Sequence, residues 1–229
     1  MKIYADQLNI VISHCMEKQR EILSNTGIDA ANFKDIYPLS PAQEGILFHY
    51  LYQKGSAAYI EQFSFQIHGT LNSTVFEASW NELVRRYDIL RSIFVHKHTE
   101  RPMQIVLRDR KIEFKTQNIS SLSKEAQSRH IRNFKEQDRS RGFNLGKDML
   151  MRITLFETGQ DSYEAVWTHH HILMDGWCLG ILIRELFEAY KSLKQNIKPV
   201  LHRQFLTAAI FSGLKIKTKM RQLAIGASI

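Results

Sequence analysis

Thr168-His169-His170-His171-Ile172-Leu173-Met174-Asp175-Gly176-Trp177-Cys178 is the run of residues from which the rest of this chain is best understood. Before it, Tyr163, Ala165 and Trp167 alternate as in a strand with one buried face. After it, Leu179, Leu182, Ile183, Leu186, Phe187, Tyr190 and Leu193 recur with the period of an amphipathic helix. The histidines therefore end a strand and lead through a loop into a helix, a common position for functional side chains. Chemically, His171 offers a base on a rigid support, Asp175 a carboxylate to hold the local geometry, and Gly176 a residue where the backbone must turn. The blander readings stand beside this one. A single histidine near a core is more often structural. His171 and Asp175 are four apart, but no second ligand pair accompanies them for a metal. The G-x-S-x-G elbow of a serine hydrolase is absent.

Working upstream, residues 3–23 have helical composition, and the helix either packs on the domain behind it or docks another protein. In Ile36 to Tyr52, Ser40 can N-cap a helix, Pro41 suits its first position and Gln43 completes a capping box. Phe63, Phe65 and Ile67 alternate in a strand over Gln62 to His68. Asn72 or Ser73 caps the following helix, in which Val75, Phe76, Trp80, Leu83 and Val84 share a face. Arg91 then lies among apolar neighbours; partly buried, it needs a carboxylate partner. Met103–Arg108 and Lys111–Gln117 read as a strand pair hinged at Asp109-Arg110. Ser123 to Ser140 reads as a polar helix with Ala126, Ile131 and Phe134 as its apolar stripe. Met149, Met151, Ile153 and Leu155 alternate in the next strand.

Hydrophobic content of 44% is enough for a sizeable core. No apolar run approaches the roughly 20 residues of a membrane span, and the N-terminus lacks a signal-peptide apolar region. Cys15 and Cys178, far apart and without a partner motif, suit a reducing cytoplasm, so a cytoplasmic location is expected. The net charge of +8 is a property of the tail. Residues 201–229 carry five basic side chains and no acidic ones, leaving 26 basic against 23 acidic before them. With no basic stripe interleaved with aromatics, nucleic acid is not an expected partner.

Four segments together resemble the condensation domains of nonribosomal peptide synthetases. His170-His171-Ile172-Leu173-Met174-Asp175-Gly176 matches that family's HHxxxDG signature. Ser40-Pro41-Ala42-Gln43 with Leu47 is similar to its first core motif. Arg86-Tyr87-Asp88-Ile89-Leu90-Arg91-Ser92-Ile93-Phe94 is similar to its second, RHExLRTxF, with Tyr87, Asp88 and Ser92 as departures. Arg141-Gly142-Phe143-Asn144-Leu145 resembles its RxFDL-like segment. HxxxDG alone is shared by several acyltransferase families; four motifs in order over Ile36 to about Lys198 are specific.

The resemblance implies an α/β fold, a chloramphenicol-acetyltransferase-like lobe with a mixed sheet flanked by helices, paired in the family with a second lobe across a tunnel. This chain has no room for that second lobe. The resemblance also implies donor and acceptor peptidyl carrier proteins as partners, with substrates on their phosphopantetheine arms and no cofactor bound by the chain itself. By the same resemblance His171 positions or deprotonates the acceptor amine. Asp175 is structural and pairs with Arg91, while the Gly176 amide faces the reacting carbonyl as an oxyanion donor. His170 and Trp177 are scaffold.

Residues 1–32 are thus expected to form a helical linker or a docking segment for an upstream synthetase, and 33–200 the lobe. The tail 201–229 lacks the family's proline-tyrosine segment and charged, tryptophan-containing helix. Reading allowed codons for the tail one base earlier yields a string that closely resembles that missing segment. The expectation is a frameshift between about Lys198 and Leu201, with the tail an out-of-frame translation. Three functional outcomes remain: a fragment of a peptide-bond-forming domain, an inactive remnant that only binds carriers or partners, or an epimerization-type relative.

Overall fold

The computed structural model describes residues 17, 20–53, 57–97 and 99–201. Most of the expected helix over 3–23, any docking role of that segment, and the tail beyond Leu201 lie outside the described residues. Residues 20–26 are helical.

Among the described residues, seven strands and four long helices follow. They are β1 (Phe33–Pro38), α1 (Pro41–Tyr52), β2 (Ile60–His68), α2 (Ser73–Arg86), β3 (Ser92–Val95), β4 (Met103–Leu107), β5 (Glu113–Asn118), α3 (Lys124–Arg141), β6 (Met151–Gly159), β7 (Ser162–His170) and α4 (Gly176–Lys194). Helix starts are set by local chemistry. Ser40 accepts from the Gln43 amide at 3.3 Å while the Gln43 side chain accepts from the Ser40 amide at 3.0 Å, a closed capping box with Pro41 at the first turn. Asn72 caps α2 through Val75, Ser123 caps α3 through Ala126, and Asp175 caps α4 through Trp177. Helix α3 ends at Gly142, whose φ of +65° is a backbone conformation that disfavours any side chain.

The fold is mixed α/β, as the motifs imply, but with two sheets. The larger has the order β2-β7-β6-β5 and is mixed: β2–β7 and β7–β6 are antiparallel, β6–β5 parallel. It is covered on both faces, so β6 and β7 are buried on alternate residues in both directions. Ile153, Leu155, Ala165 and Trp167 meet Phe76, Trp80, Leu83, Leu182 and Leu186 of α2 and α4. Phe156 and Val166 on the other face meet Ile131 and Phe134 of α3. Trp80 and Trp167, both fully buried, meet edge-on at 4.9 Å between centroids.

The smaller sheet, β1-β4-β3, corrects the expected strand pair. Met103–Leu107 and Glu113–Asn118 do not pair with each other. The first lies between β1 and β3, the second beside β6 in the other sheet. Ile105 and Leu107 join Ile93 and Val95 in a small core of their own, whereas Phe114 packs on the main core. The Asp109-Arg110 hinge carries the chain from one sheet to the other, with Arg110 donating to the Asp148 and Lys147 carbonyls. No described helix is long and apolar enough to cross a membrane.

Candidate active site

β7 delivers the three histidines in register with the start of β2. Ile60 is opposite His170 and Glu61 opposite His169. The His171 amide then donates to the Tyr59 carbonyl at 2.8 Å, and the His170 amide to the Leu150 carbonyl at 3.0 Å. The loop closes through Leu173 N–H to the His170 carbonyl and Met174 N–H to the His171 carbonyl, with Ile172, Leu173 and Met174 buried. Apolar anchoring of these three residues makes the loop rigid, which a positioned base requires.

The three rings have different surroundings. His170 is buried; its Nδ1 accepts from the Ile172 amide at 3.1 Å, and its ring meets Tyr50 edge-on. Burial, then the neighbouring His169 and His171, pushes it down to about 4, so it stays neutral and braces the loop. His169 is also buried, against Trp167. His171 keeps 33% of its side chain exposed and lies almost parallel to the Tyr59 ring. Its Nδ1 is 3.1 Å from Glu61 Oε1, and His169 Nε2 is 3.3 Å from Glu61 Oε2. Neither contact is aligned as a hydrogen bond.

Glu61 is a site residue that the sequence reading misses. A signal for it exists: Phe63, Phe65 and Ile67 share one face of β2, the last two packed on the main core, and Glu61 continues that face two residues earlier. A carboxylate on an apolar face calls for a partner. Contact with His169, opposed by burial and aided by the charges of His171 and His169, holds its carboxyl below the usual range.

Asp175 and Arg91 are not brought together. Asp175 accepts from the Trp177 amide at 3.1 Å and from the Cys178 thiol at 3.3 Å, so it is engaged in capping α4. Arg91 is buried and bonded instead to Asp88 Oδ1 at 2.5 Å and to the Leu107, Val84 and Arg85 carbonyls. The carboxylate that this arginine requires is three residues away in the Asp88–Arg91 3₁₀ turn. Two further expectations are corrected. Gly176 has no positive φ, and a Cβ there would meet nothing within 4 Å, so neither the turn nor the packing requires glycine. Trp177 is 89% exposed and is not scaffold within this lobe.

What does join the motifs is a chain of amides. Gln43 donates to the Ile172 carbonyl at 3.3 Å and to Gln104 Oε1 at 3.1 Å; Gln104 donates to Ser92 Oγ at 3.0 Å. The start of α1, β4, the start of β3 and the histidine loop are thereby tied together. A cleft of about 690 Å³ lined by Thr26, Tyr50, Phe94, His96, Asn144 and Lys147 does not include His171. Among the described residues no group of His, Cys, Asp and Glu is arranged to hold a metal.

Residues 33–206 match the Condensation domain family. The chain belongs to this family. Segments similar to it also recur in curated relatives. A plipastatin synthase of Bacillus subtilis (strain 168) is 50% identical over 171 residues, 75% of this chain and 5% of its own length. Surfactin synthase subunit 3 of the same strain is 40% identical over 163 residues, 71% of this chain and 13% of its own. Gramicidin S synthase 2 of Brevibacillus brevis is 42% identical over 167 residues, 73% of this chain and 4% of its own. The chain thus spans a small fraction of the length of these relatives.

Solved condensation domains share its fold. The starter condensation domain of rhizomide synthetase superposes with a TM-score of 0.68 at 20% identity, covering 82% of this chain and 46% of that one. The first condensation domain of the calcium-dependent antibiotic synthetase, bound to a substrate analogue, gives 0.69 at 18% identity, again covering 82% and 46%. The chain is therefore part of a nonribosomal peptide synthetase condensation domain, under half of the solved condensation-domain chains. Such domains act on thioester substrates borne by carrier proteins.

Proposed function

We propose that this lobe supplies the histidine half of a peptide-bond-forming site, with donor and acceptor peptidyl carrier proteins presenting their substrates on phosphopantetheine arms. The observation that carries this is the difference among three consecutive histidines: His169 and His170 are buried, and only His171 offers an open ring at the strand end. In the reaction the acceptor amine attacks the donor thioester carbonyl. A C–N bond forms, the C–S bond breaks, and the amine proton passes by way of His171 to the departing thiolate. His171 acts as base or positioning group. The Gly176 amide, at the first turn of α4, donates to the carbonyl oxygen as charge develops there. Asp175, by capping α4, and His170, by bracing the loop, hold these two groups in place, and Arg91 fixes the end of α2 and the start of β3.

A second reading is favoured by one observation. Phe48, Tyr52 and Trp177 are 63%, 75% and 89% exposed, an apolar presentation suited to a partner surface. In that reading the lobe by itself binds a carrier or another partner without catalysis. An epimerization-type relative is a further variant of the same signature.

The test is formation of dipeptidyl thioester from two loaded carriers by the wild-type chain and by His171→Ala. Loss of about 10²–10⁴-fold in rate is expected for the variant if His171 transfers the proton. Equal rates in the two would remove His171 from the mechanism. No product with either, alongside carrier binding, selects the binding-only reading; loss of stereochemistry at a single loaded carrier selects epimerization.

A further inference from the structure

We infer that Glu61 is a positioning residue for His171, fixing its imidazole with the proton on Nδ1 and the lone pair of Nε2 open to the acceptor. This rests on the reading of His171 as the reacting base. Three observations carry it. The Glu61 carboxylate lies 3.1 Å from His171 Nδ1, within range of a hydrogen bond after a small ring rotation. Its second oxygen is held 3.3 Å from His169 Nε2, so the carboxylate is oriented by a buried ring that has no other polar partner. The Tyr59 ring lies almost parallel to the His171 ring, 6.4 Å between centroids, and the His171 amide donates to the Tyr59 carbonyl, so the residue next to Glu61 ties down the backbone of His171. An acceptor-only carboxylate beside Nδ1 admits one neutral tautomer there, the Nδ1–H form. A neutral histidine side chain free in water favours the other, Nε2–H form, so an Nδ1–H form must be selected by the protein.

The arrangement also explains why two histidines flank one carboxylate. His169 is set directly opposite Glu61 in the β2–β7 register, and the third histidine, His170, points to the other side of the strand and is engaged with Ile172. The groups facing Glu61 are therefore His169 and His171 from β7 and its loop, with Tyr59 adjacent on its own segment.

Long-range ¹H–¹⁵N correlation spectra of the ¹⁵N-labelled chain at pH 7.5 read the tautomer directly, with His171→Gln to assign the ring. The wild type is expected to show His171 mainly as the Nδ1–H form. Glu61→Ala shifts it mainly to Nε2–H, and Glu61→Gln, which keeps an acceptor oxygen, restores most of the wild-type pattern. A wild-type His171 in the Nε2–H form overturns the inference, and so does a Glu61→Ala spectrum in which only His169 changes. The wild-type spectrum decides even if the alanine variant does not fold. The reading requires no turnover: the expected spectra with no dipeptide formed by any variant would leave Glu61 as the positioning residue and count against the proposed function alone. Where turnover is measurable, Glu61→Ala lowers kcat about tenfold or more with KM nearly unchanged, as loss of base orientation without loss of binding requires.

Discussion

Two cross-strand pairs, one residue apart on β2 and β7, point to opposite faces of the same sheet and satisfy their polar groups in opposite ways. Gln62 and Thr168 face α3 and meet Asp138 and Arg152. Glu61 and His169 face the other way, next to His171. On the α3 side everything is satisfied. Asp138 accepts from Arg152 Nε and Thr168 Oγ1, both at 2.5 Å, and from Gln62 Nε2 at 3.3 Å. Arg152 also donates to the Gly142 carbonyl at 2.9 Å and covers the Phe143 ring at 4.0 Å. Both charged side chains are about 95% buried. On the histidine side the carboxylate is 41% exposed, the contacts are loosely aligned, and one ring is open. The first cluster fastens a helix to a sheet; the second leaves part of its hydrogen-bonding capacity unused.

The largest effect that separates the two is on stability. Asp138→Ala leaves the Arg152 guanidinium buried without its counter-ion, a change that costs about 3–5 kcal/mol. Glu61→Ala removes a half-exposed carboxylate and is expected to cost far less, about 1 kcal/mol at most. Urea unfolding followed by circular dichroism checks both. Similar losses in the two variants would break the comparison, since the histidine cluster would then be as structural as the other.

The next effect is smaller and depends on pH. His170 is held neutral at about 4 in the folded lobe, against about 6.5 in an unfolded chain. A lowered folded value means the unfolded chain binds the proton first, so the stabilisation is full above about 6.5 and declines as pH falls toward 4. Over that window the loss amounts to about 3 kcal/mol. His170→Asn keeps an acceptor for the Ile172 amide and abolishes the titration. Its stability should fall less than that of the wild type between pH 7 and pH 4.5, measured by denaturant unfolding at each pH. Parallel declines would show that other groups set the acid response, and that His170 is not the brace assigned to it.

The contrast between the two faces also marks what is readable from sequence. Ser40, Gln43 and Asn72 declare their helices because a cap is a contact within three residues. The same locality makes the β6, β7 and α4 patterns plain. Long-range choices are not legible. β4 and β5 are adjacent in sequence, and nothing local states that they belong to different sheets. Arg91 needs a carboxylate, and the family resemblance suggests Asp175; the adjacent Asp88 satisfies it at lower cost in chain ordering. Glu61 has a local signal, a carboxylate on the face shared by Phe63, Phe65 and Ile67, but its partners emerge only when β2 is paired with β7, more than a hundred residues away. Arg152 and Asp138 are invisible for the same reason: each reads as one more charge until the α3 face of the sheet is built.

Gly176 gives the smallest expected change and the sharpest test of what the histidine face is for. Its backbone is ordinary for the first turn of a helix, and a methyl group there would enter open space. By local physics alanine is the better residue: it narrows the unfolded ensemble and suits a helix, for a gain of about 0.4–1 kcal/mol. Gly176→Ala should therefore raise the urea midpoint slightly. Within this lobe, then, nothing selects glycine, and the requirement must lie in what approaches the loop from outside. If the Gly176 amide receives the carbonyl oxygen of a thioester, a Cβ beside that amide crowds the approach, and dipeptide formation should fall even as stability rises. A variant that is both more stable and equally active would dissociate Gly176 from the chemistry. His171 and Glu61 would then be the lobe's whole contribution to the reacting centre.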